Sequence, residues 1–259
     1  MSDDLELAER AARAAGVVLM ERFGGPARGL GHKTSDTDLV SDADRAAEQV
    51  IRELVEAERP EDGLIAEEGS RHEAESGRRW VVDPLDGTVN FLYGIPHWAV
   101  SVALEDEEGS AAGVVHDPVR EETFRATRGG GCELNGRPVR VRERRELDRA
   151  MIATGFSYQE ERRAAQAEVA ARLLPRVRDI RRAGAAALDL AWLAAGRLDG
   201  YYERGLSPWD WAAGRLLVTE AGGTVEEMPG EPMGLVAAAQ PGLLGDLAEL
   251  VAYSPRSSR

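Results

Sequence analysis

Between Trp80 and Phe91 the chain reads W-V-V-D-P-L-D-G-T-V-N-F. A short apolar run ends in Asp83. Pro84 follows, then a second acid, Asp86, before Gly87 and Thr88. Two acids three apart on an uninterrupted strand would point to opposite faces. Pro84 interrupts that alternation, because it fixes φ and has no N–H to give a ladder. Both carboxylates can therefore converge beyond the strand end. Anionic carboxylates held close raise each other's pKa unless a cation lies between them. Hard oxygen ligands of this kind suit Mg²⁺. Further acids stand at comparable places. Glu67 and Glu68 follow the apolar run Gly63 to Ala66, and Asp210 lies between Trp209 and Trp211 just after Pro208. Taken singly, Glu67 and Glu68 read as solvated loop acids, Asp210 as an acid suited to a helix N-terminus, and Asp83 with Asp86 as a turn.

The elements that must carry these acids can be read from hydrophobic spacing. Leu5 to Phe23 has helical periodicity and stops at Gly24-Gly25-Pro26. Residues 27–38 suggest an exposed loop. Ser41-Asp42 can cap a second helix running to about Glu58. Strands are expected at Gly63 to Ala66, Trp80 to Val82, Ala99 to Leu104, Ala111 to His116 and Glu122 to Ala126. Gly129 to Gly131 and Asn135-Gly136 are turn signals. From about residue 150 strands and helices alternate. Strands are expected at 151–154, 177–180, 198–202, 224–225 and 235–239, and helices at 160–174, 184–195, 208–221 and from about 242. The first half reads as helices plus an antiparallel sheet, the second as an α/β layer. No linker splits them. The expected organisation is one compact unit with an α+β lobe over 1–148, an α/β lobe over 149–253 carrying Asp210, and a tail over 254–259.

The chain has 259 residues, 43% of them hydrophobic, enough for a sizeable core. Its 32 basic and 46 acidic residues leave a net charge of −14. Such a surface is a poor general partner for nucleic acid or an anionic membrane. It also suits anionic phosphates badly unless metal ions reverse the sign locally. The single cysteine, Cys132, excludes an intrachain disulfide and fits a reducing cytoplasm. The start of the chain does not read as a signal peptide, and no stretch approaches the roughly 20 apolar residues that span a bilayer.

Taken in order, these motifs resemble the inositol monophosphatase family of Mg²⁺-dependent, lithium-sensitive phosphatases. The Trp80–Phe91 stretch is similar to one family signature. W-D-W-A-A-G-R-L-L-V-T-E-A-G-G, from Trp209, is similar to the second. L-V-S-D-A-D at 39–44, I-A-E-E-G-S at 65–70, G-I-P-H-W-A-V-S-V-A at 94–103 and D-G-Y-Y-E-R-G at 199–205 extend the likeness over nearly the whole chain. Several specific motifs in order carry more weight than one short pattern.

The resemblance implies a layered αβαβα sugar-phosphatase-like sandwich, two or three Mg²⁺ ions and a homodimer. It implies metal ligation by Glu67, Asp83, Asp86, Asp210 and the carbonyl of Leu85. Gly87 and Thr88 would hold phosphate oxygens, with Asp86 and Asp210 also at the substrate. Asp44 would pair with Thr88 to polarise the attacking water, with Glu67 as the other proton acceptor. Lys33 would lie near the metals. Gly184, Ala185, Ala186 and Glu203 would face substrate hydroxyls. Glu68 receives no ligand role. The implied reaction is hydrolysis of a small phosphate monoester by water, without a phosphoenzyme. Inositol monophosphate is the first candidate substrate. Histidinol phosphate, fructose 1,6-bisphosphate, NADP and 3′-phosphoadenosine nucleotides are alternatives. A non-catalytic regulatory or binding member of the fold is the competing class.

His97, between Pro96 and Trp98, reads as structural. His32, His72 and His116 are isolated from any metal-ligand spacing. No signature surrounds Cys132. The arginines from Arg137 to Arg149 read as a solvated hairpin and helix face, with a subunit surface as the alternative.

Overall fold

The computed structural model describes residues 2–25, 31–32, 39–40 and 42–252. Lys33, Ser41, most of the loop expected at 27–38 and the expected tail lie outside the described residues.

The first helix, α1 (Ser2–Met20), buries Leu7, Ala11, Ala15 and Leu19 along one stripe. The second, α2 (Asp42–Glu58), does the same with Ala47, Ile51 and Val55. A two-strand ladder, β1 (Gly31–His32) with β2 (Leu39–Val40), lies between them in sequence. Then come β3 (Gly63–Ala66), β4 (Arg71–His72), β5 (Arg79–Asp86), the short helix α3 (Thr88–Leu92), β6 (Ala99–Asp106), β7 (Gly109–Asp117), β8 (Glu122–Thr127), β9 (Gly131–Leu134) and β10 (Arg137–Val139). These strands form one sheet in the order β10-β9-β8-β7-β6-β5-β3-β4. All its pairings are antiparallel except β3 with β5.

The rest of the chain gives β11 (Met151–Thr154), α4 (Glu160–Leu173), β12 (Asp179–Arg181), α5 (Ala186–Ala194), β13 (Gly200–Arg204), α6 (Pro208–Glu220), β14 (Thr224–Met228), β15 (Gly234–Ala238) and α7 (Pro241–Val251). A second, mixed sheet runs β12-β11-β13-β15-β14.

Side-chain alternation shows how the sheets are layered. On β5, Trp80 and Val82 join the cluster formed with α1 and α2, whereas Val81 joins the one formed with α5 and α6. The second sheet shares α5 and α6 on one side and packs α4 and α7 on the other. The layers are thus α1/α2, large sheet, α5/α6, small sheet, α4/α7, the αβαβα sandwich. Close approach in the middle layer depends on missing β-carbons. A Cβ on Gly214 of α6 would stand 2.6 Å from Leu190 Cδ1 of α5.

The largest local difference from expectation is in β5. The sequence places a strand end at Asp83, but the strand runs on to Asp86. Asp83 pairs with Ser101 and Asp86 with Ala99, so three steps on β5 face two on β6. That is a β-bulge, and Pro84 sits inside it, where the missing N–H costs no ladder bond. The extra residue turns Asp86 to the face that Asp83 already shares with Val81, toward α5 and α6. Convergence of the two acids comes from the bulge, not from the end of the strand. Helix α5 also begins later than expected: Gly184 has φ +96° and Ala185 is extended.

Candidate functional site

The bulge in β5, the loop after β3, and the starts of α3, α5 and α6 meet at one cleft of about 460 Å³. Glu67, Asp83, Leu85, Asp86, Gly87, Thr88, Gly184, Ala185, Ala186, Glu203 and Asp210 all line it. Asp44 stands behind Thr88.

Each acid is held by a local device. Glu67 follows β3, and its loop is fixed by Glu48 of α2, whose carboxylate accepts the N–H groups of Glu68 (2.7 Å) and Ser70 (2.9 Å). Asp83 Oδ1 accepts the Leu85 N–H at 3.0 Å, across the bulge. Asp86 crosses to the middle layer and accepts three amides at the start of α5: Ala186 (3.0 Å), Ala187 (2.7 Å) and Leu188 (3.3 Å). The N–H of Ala186 is therefore engaged by the protein itself. Asp210 sits in the first turn of α6, where Pro208 tolerates its missing donor, and accepts the Ser207 N–H at 2.6 Å.

These carboxyls are buried together, and their acidity shows it. Burial first, then the charges of Glu67, Asp86 and Asp210, push Asp83 well above the usual carboxylate range. Burial raises Asp86 to about 8 despite its three amide donors, and Asp189 adds to the rise. Burial, then Glu67 and Asp86, also drive Asp210 well up. Among the described residues no three His, Cys, Asp or Glu side chains stand grouped as a ready-made metal cage. As they are turned, Asp83, Asp86 and Asp210 each accept backbone amides. The donor set nevertheless fits a hard divalent cation. It is all oxygen, it draws on several elements, and the protonation it imposes on Asp83, Asp86 and Asp210 is what a cation among them would relieve.

Thr88 lies at the start of α3, after Gly87 in a left-handed conformation (φ +96°). Its Oγ1 is 3.0 Å from Asp44 Oδ1 and 3.1 Å from the Leu85 carbonyl oxygen. Asp44 is fully buried. A hydroxyl has one proton, so Thr88 donates to one of the two and offers its lone pairs to the cleft.

Glu203, on β13, lies against Gly155 and accepts the Tyr201 hydroxyl at 2.6 Å. Burial raises its carboxyl to about 7, against the pull of Tyr201 and Arg182.

Several residues with work at this site carried no sequence signal. Glu48 is an ordinary helix acid until the fold shows the loop it holds. Asn90 donates to the carbonyls of His97 (2.7 Å) and Ala183 (2.8 Å), tying the start of α3 to the segment before α5. Asp189, buried on α5, lines the cleft 3.6 Å from His97 Nε2. His97 itself is buried edge-on to Trp192, the structural place expected of it. Arg162, Arg182 and Arg204 also line the cleft.

A larger cleft, about 1040 Å³, lies between α1 and β7–β8. Its charges answer one another, Glu9 accepting from Arg13 and Arg125, and it gathers no cluster of acids. Cys132, on β9 of the large sheet, is buried against the α5/α6 layer, where burial pushes its thiol up to about 12. Among the described residues no helix is long and apolar enough to cross a membrane.

The profile of the inositol monophosphatase family matches residues 1–255. Nus factor SuhB of Salmonella typhimurium is 43% identical over 228 residues, 87% of this chain and 85% of the relative. Inositol-1-monophosphatase of Rhizobium meliloti is 48% identical over 200 residues, 76% of this chain and 75% of the relative. The crystal structure of extragenic suppressor protein suhB from Bartonella henselae superposes with a TM-score of 0.90 at 38% identity, covering 96% of this chain and 98% of that one.

Proposed function

The chain belongs to the inositol monophosphatase family, and from that footing we propose that it hydrolyses small phosphate monoesters, inositol monophosphate first among them, with Mg²⁺ in the acid cleft. The observation that carries the proposal is the Asp44–Thr88 pair set beside the Leu85 carbonyl, at a cleft lined by six carboxylates.

Glu67, Asp83, Asp86, Asp210 and the Leu85 carbonyl would hold the ions. Bound there, divalent cations lower the pKa of a nearby water and offset charge on the phosphate and the leaving oxygen. The remaining work belongs to the protein. With the Leu85 carbonyl taken up as a ligand, the Thr88 hydroxyl would donate its hydrogen bond to Asp44. Thr88 Oγ1 must then accept from the attacking water, which aims that water's lone pair at phosphorus. The water's proton passes toward Thr88 and Asp44, or to Glu67. The N–H groups of Gly87 and Thr88 would meet phosphate oxygens. Glu203, Asp210 and the backbone of Gly184 and Ala185 would face the hydroxyls of the alcohol. Ala186 has only its carbonyl to offer, because Asp86 takes its N–H.

The test is a phosphate-release screen over inositol 1-phosphate, histidinol phosphate, fructose 1,6-bisphosphate, NADP and a nucleotide 3′-phosphate. Release should need Mg²⁺ and fall in millimolar lithium. Full activity in EDTA would refute the assignment.

A second reading has its own support. Several relatives are named Nus factors, a name that adds a regulatory role to the family. For this chain that points to a binding role alongside hydrolysis, and it leaves nucleic-acid-associated partners open despite the acidic surface. An Asp210→Asn variant separates the two, since a pure binding role would survive it.

A further inference from the structure

Helix α2 carries two buried acids on one face. Asp44 and Glu48 are four residues apart, one turn of the helix, and are 0% and 5% exposed. Each holds the end of a different strand. Asp44 Oδ1 lies 3.0 Å from Thr88 Oγ1, beyond β5. Glu48 accepts the N–H groups of Glu68 and Ser70, beyond β3, one on each carboxylate oxygen. The two strands are parallel neighbours with Ala66 opposite Val82, so their ends lie side by side.

The turn that Glu48 grips is short. Ala66 donates to the Ser70 carbonyl at 3.0 Å, and Gly69 to the Ala66 carbonyl at 3.3 Å. With Gly69 at φ +111°, the amides of Glu68 and Ser70 converge on one carboxylate, a backbone nest filled by an anion. Glu67 is the first residue of this turn. Its N–H donates to the Val82 carbonyl on β5 at 3.2 Å, and its side chain shares a hydrogen bond with Asp83. We propose that Glu48 is a positioning residue for the cation site. By filling the nest it fixes the turn that holds Glu67 beside Asp83, and through Asp44 the same helix face sets Thr88 against that arrangement. This rests on the functional reading above. The bonds are charge-assisted and shielded from water, so they are stronger than neutral ones.

Calorimetry of Mg²⁺ binding without substrate gives the first readout. Glu48→Gln keeps the shape of the side chain but offers one acceptor oxygen to two N–H groups. Its Kd for Mg²⁺ should rise about tenfold, the scale of one charged hydrogen bond. At saturating Mg²⁺ kcat should largely return, because the bound cation draws Glu67 back into place. Glu56→Gln, exposed on the same helix, removes the same charge and should leave Kd alone. In a Glu67→Gln background the Glu48→Gln change should cost nothing further, since the carboxylate it places is already gone. An unchanged Kd overturns the inference. So does a loss of equal size in both backgrounds, which would make Glu48 a distant charge or a packing residue. If the parent protein binds no Mg²⁺, the functional reading fails by itself. Amide exchange in the metal-free protein then still decides the clamp. Glu68 and Ser70 should exchange faster in Glu48→Gln, while Ala186 to Leu188 on α5 keep their rates. Unchanged exchange at Glu68 and Ser70, or the same acceleration everywhere, overturns it.

Discussion

Asp86→Asn sets stability against function, and the two can be measured separately. Burial raises Asp86 to about 8 from a reference value of 3.8. A carboxyl whose folded pKa is raised stabilises the fold only while it is protonated in both states. Its penalty grows as pH climbs from about 4 and levels off above about 8. At pH 7 without metal that penalty is roughly 4 kcal/mol, at 1.36 kcal/mol per pH unit, as an upper limit for so crowded a group. Asn carries no such penalty. It keeps one acceptor oxygen, so part of the bonding to the amides of Ala186, Ala187 and Leu188 is lost, at about 1–3 kcal/mol. In EDTA at pH 7 the variant should therefore be the more stable protein by about 1–3 kcal/mol, several degrees in Tm. Near pH 4 the order should reverse, because only the weakened helix start remains. Mg²⁺ should raise the Tm of the parent protein and do little for the variant, which should release almost no phosphate. Thermal melts at the two pH values, with and without Mg²⁺, read all of this. A variant less stable at both pH values in EDTA, or one that keeps the full Mg²⁺ shift, would refute the reasoning.

Thr88→Val removes the hydroxyl placed between Asp44 and the Leu85 carbonyl. It should lower kcat by roughly 10²–10⁴ with little change in KM, and Thr88→Ser should recover most of the rate; steady-state kinetics that show no loss for Val would remove Thr88 from the proton path. Glu203, raised by burial to about 7, imposes a penalty that grows from about pH 4.5 to 7. Glu203→Gln keeps an acceptor for Tyr201 and should be more stable above pH 7, by up to about 3 kcal/mol, with a gain under about 1 kcal/mol at pH 5. Urea unfolding at pH 5 and 8 checks the sign, and a gain of equal size at both values would contradict it.

Much of this architecture was legible because it is written in local periodicity and punctuation. The α1 and α2 stripes, the strands at Gly63–Ala66 and Met151–Thr154, and the α6 start at Pro208 follow from spacing, caps and proline placement. What was not legible depends on partners. The β5 bulge is defined by Ser101 and Ala99 on a neighbouring strand, so Asp83 looked like a terminus. The turns at Gly129–Gly131 and Asn135-Gly136 were visible, but β9 and β10 beside them are too short to show a pattern. The Arg137–Arg149 run carries β10 and a brief 3-10 turn, close to the hairpin expected of it, with no full helix. At the site, resemblance and residue type pointed to the acids that line the cleft. Glu48, Asn90 and Asp189 could not be found that way. Each is a common residue on an ordinary element, and only the packing of α2, α3 and α5 around the cleft gives it something to hold.

The most direct test of the account is anomalous diffraction from crystals soaked in Mn²⁺, an ion that suits the same oxygen donors as Mg²⁺. A peak should appear in the cleft with carboxylate oxygens of Asp83 and Asp210 both within about 2.0–2.3 Å. Active crystals whose ion avoids those two side chains would contradict it.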